Sequence, residues 1–172
     1  LDVSKNQEGF NNNEVEFFPI PPLLPGHASV HYLLVRSDVS SKSGQTAPVE
    51  VTLLVDTGAS YTTLPVQILK GLGYDTQNPD KWHPGIVTGK GKTPAIPIVQ
   101  DSSFSCLGKQ MIDFPVLAYT LPKQTAWDGI LGMDFFSHFE AVILLAKAGS
   151  KRNNKIITSI TSKIILRELV DG

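Results

Sequence analysis

Apolar residues in this chain fall into short runs broken by glycine, proline and small polar residues, a pattern of many brief strands rather than long helices. The clearest run is Val51-Thr52-Leu53-Leu54-Val55, β-branched and apolar enough for a strand buried on both faces. It completes a strand over 49–55, the hairpin partner of a strand over 30–35 across a Ser/Gly-rich connection at 37–47. Ahead of this hairpin, residues 1–19 are polar and Asn-rich and read as a loose tail ending in a short strand at 14–18. Pro19, Pro21, Pro22 and Pro25 then favour extended backbone.

Downstream, strand resumes over 61–65, and Pro65 opens a short helix over 66–69 stopped by Gly71 and Gly73. Residues 74–85 are turn-rich. Residues 86–92 and 93–100 form two extended arms around Gly89 and Gly91. Strands follow over 104–107 and 111–119, where Pro115 marks an edge or a bulge. A short helix over 134–139 leads to a strand over 141–145 and a polar turn at 147–154. The last apolar stretch, 156–169, is rich in β-branched residues and reads as strand closing on a helical turn at Arg167-Glu168. The predicted class is all-β.

Composition narrows the function. At 172 residues, with 41% hydrophobic and 18% charged, the chain suits one globular domain with a core of its own. A net charge of −1, with Lys151-Arg152 and Lys155 as the only small basic cluster, argues against nucleic acid as a partner. One cysteine rules out an internal disulfide framework. Cys106, in Ser-Phe-Ser-Cys-Leu-Gly with no histidine pattern around it, reads as a half-buried strand residue rather than a catalytic thiol. The longest wholly apolar run, 141–146, is far short of the roughly 18 residues of a spanning helix. Neither a membrane segment nor a signal peptide is expected in the chain, and its compartment is open.

Two stretches carry the chemistry. The buried strand ends on Asp56-Thr57-Gly58-Ala59-Ser60, an acid at a tight turn whose glycine admits close approach and whose hydroxyls can tie the turn down. Far downstream stands Trp127-Asp128-Gly129-Ile130-Leu131-Gly132-Met133-Asp134-Phe135-Phe136. Together they resemble the retroviral-type aspartic proteases, the retropepsins, and most of all the cellular and bacterial members carrying DTGAS and GILGMDF.

The resemblance covers roughly residues 28–147 and implies a retropepsin-like closed barrel or sandwich. One short helix would follow the Ile-Leu-Gly motif, and a flap hairpin around Gly89 and Gly91 would close over the substrate. It divides the chain into an N-terminal extension at 1–26 (a pro-segment or a strand), a protease core at 27–147 and a C-terminal extension at 148–172 that offers an interface strand. It implies peptide-bond hydrolysis by Asp56, with Thr57, Gly58, Ala59 and Ser60 supporting the turn and Ile130, Leu131 and Gly132 packed behind it. Neither metal nor cofactor is called for.

The same chemistry dictates a partner. Two close carboxylates sharing one proton can take a proton from water and give one to a carbonyl oxygen together. The chain has one Asp-Thr-Gly and no internal repeat. The second acid then comes from another copy, and the expected enzyme is a homodimer with an extended peptide or protein as substrate. A non-catalytic module of the same fold, used for dimerisation or peptide binding, is the alternative.

Rival constellations carry less. His27 and His31 have helical zinc-ligand spacing, but on a strand they stand roughly 13 Å apart. Gly91-Lys92-Thr93 lacks the first glycine of a phosphate loop, and Pro94 and Pro97 block the helix that must follow. Asp128 and Asp134 read as acids that cap or brace the short helix. Trp127, Phe135, Phe136 and Phe139 read as core.

Overall fold

The structure, a computed structural model, describes residues 10–20, 30–89, 91–101, 103–122, 126–146, 151–152, 155–156 and 162–168. In chain order the elements are β1 (Phe10–Ile20), β2 (Val30–Val39), β3 (Val49–Val55), β4 (Thr63–Leu64), helix α1 (Val66–Gly71), β5 (Lys81–His83), β6 (Val87–Thr88), β7 (Gly91–Lys92) and β8 (Ile96–Asp101). They continue with β9 (Phe104–Cys106), β10 (Lys109–Met111), β11 (Phe114–Ala118), β12 (Gly129–Leu131), helix α2 (Met133–Phe136), β13 (Phe139–Ala146), β14 (Lys151–Arg152), β15 (Lys155–Ile156) and β16 (Ser162–Glu168). The fold is all-β.

The chain divides into two compact units, Leu1–Leu34 with Phe136–Gly172, and Val35–Phe135. In the first unit β16 lies between β13 and β1, antiparallel to both, and β14 and β15 form a separate hairpin. β1 changes partner midway: Phe10 to Val15 pair with β16, and Glu16 to Ile20 pair with β2. The Asn-rich stretch is therefore strand, not tail. Arg167 and Glu168 also stay in β16, where Arg167 faces Glu140 of β13 at 3.1 Å. Pairing on the ladder overrides the local helical preference of that dipeptide.

In the second unit the pairing order runs from β2 through β3, β12, β4, β11 and β8 to β5, and β9 pairs with both β2 and β10. β2 reaches Val39 rather than stopping at residue 35, because Val35, Ser37 and Val39 are buried while Arg36 and Asp38 are exposed. The period of two is intact; a small serine sits at one inward position. β11 is paired on both sides, to β4 and β8, so Pro115 lies in an interior strand. It costs no ladder bond there. The Leu117 and Tyr119 N–H groups donate toward Thr62 and Leu64, and residue 115, which faces the same way, lies beyond the end of β4. The turn-rich stretch holds the short edge strand β5, and the predicted helix over 134–139 is only Met133–Phe136.

Phe104, Phe114 and Phe135 form the heart of this unit. The first two rings stack at 5.1 Å, and Phe135 meets them edge-on at 6.0 and 6.2 Å. Each buried ring is worth about 2–3 kcal/mol, and Phe135 thereby pins α2 to the core. Phe136 is buried as well, whereas Trp127 and Phe139 are only half-buried.

Cys106 is buried outright, at 2% exposure, rather than half-buried. Loss of solvent pushes its thiol up to about 12 from 9.0. An unfolded thiol ionises above 9.0 while the folded one keeps its proton, so Cys106 draws stability away as pH rises through that window. An aromatic disulfide reagent at neutral pH should leave the folded chain untouched and titrate one thiol in denaturant; rapid labelling of native protein would contradict this burial.

Candidate active site

The two motif stretches meet because β12 lies parallel to β3, with Gly129 beside Leu53, Ile130 beside Leu54 and Leu131 beside Val55. Where β3 ends, the Asp56 N–H still donates to the Leu131 carbonyl at 3.1 Å, extending the ladder by one bond. The chain then turns. The Ala59 N–H donates to the Asp56 carbonyl at 3.1 Å, and the Gly58 N–H donates to Asp56 Oδ1 at 2.8 Å. The carboxylate is thus held by its own turn and half-buried, with Thr57, Gly58 and Ser60 exposed around it and Ala59 half-buried.

Asp56 sits in a cleft of about 720 Å³. Ile130 and the 58–60 turn line it near the acid, and Leu117, Tyr119, Leu121 and Pro122 add an apolar wall. Ile86 to Gly89 contribute from the β6–β7 hairpin. In that hairpin Val87 pairs with Lys92 and Thr88 with Gly91. The Thr93 N–H donates to the Ile86 carbonyl at 2.8 Å, and the Ile86 N–H returns to Thr93 Oγ1 at 2.9 Å. The hairpin turns between Thr88 and Gly91, where Gly91 has φ +110. The reversal therefore lies inside the stretch expected to be the first arm, and residues 96–101 belong to β8. Lys90, at the turn, is outside the described residues, as is His27 of the histidine pair.

A model of the family described as aspartyl protease matches residues 41–135, more than half of the chain. The chain belongs to the aspartyl protease family. The match includes the Asp56 turn, the β6–β7 hairpin and the Gly129–Leu131 strand. The chain is also similar to the crystal structure of a retropepsin-like aspartic protease from Rickettsia conorii. That similarity is 18% in sequence and covers 93% of this chain and 98% of that one, with a TM-score of 0.48. No curated protein sequence matches it. No helix among the described residues of this aspartyl protease is long and apolar enough to cross a membrane.

The two other acids of the motif stretches do not line the cleft and are engaged in hydrogen bonds elsewhere. Asp128 is a strand tie: its N–H donates to the Thr52 carbonyl at 2.8 Å and its Oδ2 accepts the Thr52 N–H at 2.9 Å. It braces β3, not the helix. Asp134 is half-buried, and its carboxylate accepts the Thr62 N–H at 2.8 Å, the Thr62 hydroxyl at 2.8 Å and the Phe135 N–H at 2.9 Å. Burial raises its pKa above the ordinary value, and those hydrogen bonds offset only part of the rise.

Several cleft residues of this aspartyl protease went unnoticed in the sequence. Tyr61 directly follows the turn and meets the His83 ring edge-on at 4.9 Å, with both facing the cleft. Leu117 and Tyr119 reach it from β11 and just beyond its end. A tyrosine next to the motif was a usable signal. A lone histidine in a turn-rich stretch was not.

Proposed function

We propose that this aspartyl protease is an endopeptidase that works as a homodimer, with Asp56 of each copy forming the catalytic pair. One observation carries the reading: the Asp56 carboxylate, held by the Gly58 N–H on a turn whose Asp56 N–H donates to the Leu131 carbonyl, opens into an apolar cleft flanked by a β-hairpin. An extended substrate lies across the Asp56 turn, and the β6–β7 hairpin acts as the flap above it. The ionised Asp56 takes a proton from water, and the water oxygen attacks the scissile carbonyl carbon. The protonated Asp56 of the partner gives its proton to the carbonyl oxygen. Collapse of the tetrahedral intermediate breaks the C–N bond: the proton taken from water goes to the departing amine, and a hydroxyl proton of the intermediate returns to Asp56 of the partner as the carbonyl re-forms. The carboxylates supply both proton steps, so the reaction calls for no metal or cofactor.

Thr57, exposed beside the acid, ties the two turns across the dimer axis. β13 is the best-placed interface strand: among the described residues it pairs only with β16, which leaves its other edge open to a second copy. Cleavage of a random peptide library, blocked by a statine-type inhibitor whose hydroxyl mimics the attacking water, tests the reading. Peptide binding without any cleavage would replace it with a non-catalytic module.

A further inference from the structure

The hydrogen bonds behind the Asp56 turn close into a ring. The Asp56 carbonyl accepts the Ala59 N–H, the Ala59 carbonyl accepts the Met133 N–H at 2.8 Å, and the Ser60 carbonyl accepts the Asp134 N–H at 3.1 Å. The Asp134 carboxylate takes the Thr62 N–H and hydroxyl, each at 2.8 Å. Thr62 Oγ1 in turn accepts the Gly132 N–H at 3.1 Å, and the neighbouring Leu131 carbonyl accepts the Asp56 N–H. The ring begins and ends on Asp56. Most of its bonds are between backbone groups that any sequence would supply. Two side chains complete it: Asp134 and Thr62.

We propose that Asp134 and Thr62 are positioning residues for Asp56, a two-side-chain clamp that holds the 59–62 segment against the 131–134 turn and so aims the catalytic carboxylate. This rests on the proposed hydrolytic reading and adds to it the residues that set the acid's geometry. Thr62 is fully buried, at 0% exposure, and its hydroxyl both donates to Asp134 and accepts from Gly132, so neither a lone donor nor a lone acceptor replaces it. Asp134 engages Thr62 through both carboxylate oxygens, which fixes direction as well as distance. Neither residue lines the cleft. Loss of the clamp therefore moves the acid together with Ala59, Ser60 and Tyr61 of the same segment, and misplacement of the acid by about 1 Å costs on the order of 10²-fold in rate.

The test is a kinetic and exchange series on the full chain. Asp134→Ala and Thr62→Val should each lower kcat by roughly 10- to 100-fold, a larger effect than any on KM. Asp134→Asn should recover to within a few-fold, because its oxygen still accepts the Thr62 N–H and its amide donates to Thr62 Oγ1. The double variant should be no worse than either single one, since both break the same ring. Wild-type kcat in folded Asp134→Ala, or a loss carried by KM alone, would overturn the proposal. If Asp134→Ala does not fold, Thr62→Val and Asp134→Asn decide it on the same criteria. Amide hydrogen exchange separates this result from the hydrolytic reading. In Asp134→Ala the Thr62 amide should exchange faster while the β8–β11 ladder stays protected, and in Thr62→Val the Gly132 amide should do so. Unchanged exchange at both overturns the clamp even if the wild-type chain cleaves nothing, which would by itself sink the hydrolytic reading.

Discussion

Asp56→Asn is expected to leave a folded chain whose peptide cleavage is lower by on the order of 10³-fold or more. The substitution keeps the shape of the side chain and an oxygen for the Gly58 N–H, which donates to Oδ1 at 2.8 Å. It also leaves the backbone bonds to Leu131 and Ala59 in place. What disappears is the acid that must alternate between taking a proton from water and giving one to the carbonyl. Circular dichroism and the melting temperature should match wild type while product formation falls to background. Comparable cleavage by the folded variant would mean that Asp56 is not the acid.

The second large effect is structural, at Gly132. A Cβ on this residue would sit 2.5 Å from the Tyr61 carbonyl carbon, 2.7 Å from the Tyr61 oxygen and 2.9 Å from the Thr62 nitrogen. These are backbone atoms, and the bonds from Thr62 to Asp134 and from Gly132 to Thr62 Oγ1 stop them from yielding. Gly132→Ala should therefore cost about 3 kcal/mol or more, lowering the melting temperature by roughly 10 °C. Gly129→Ala should behave similarly, because its Cβ would overlap the Thr63 carbonyl oxygen. Gly89→Ala is the control: nothing lies within 4 Å of its added carbon, so stability should stay within about 0.5 kcal/mol. A Gly132→Ala melting temperature within about 2 °C of wild type would show that the packing behind the turn is looser than this.

Much of the site was legible because both halves are contiguous. Asp56 to Ser60 follow a strand whose run of apolar residues is unmistakable, and Gly129 to Gly132 carry two glycines that packing requires. β3 matches its expected bounds, α1 begins right after Pro65, and α2 follows the Ile-Leu-Gly stretch, though shorter than expected. What stayed hidden depends on distant partners. Ser37 broke the apolar pattern of β2 although it is buried opposite Cys106. Arg167 looked helical until β13 and β1 claimed β16 on either side. Thr62 and Asp134 stand 72 positions apart, a pairing that no periodicity announces. The cleft wall is hidden for the same reason, since Tyr61, His83 and Tyr119 converge from three separate segments.

The central claim is that two copies of Asp56 make one site. It is tested most directly by mixing wild-type chains with increasing proportions of Asp56→Asn chains at constant total concentration, after dissociation and reassociation. If each active site needs an intact acid from both copies, hybrids are dead, and activity per wild-type chain falls in proportion to the wild-type fraction. Activity per wild-type chain that stays constant across the series, with a monomer by sedimentation, would contradict the account and place the second acid within the same chain.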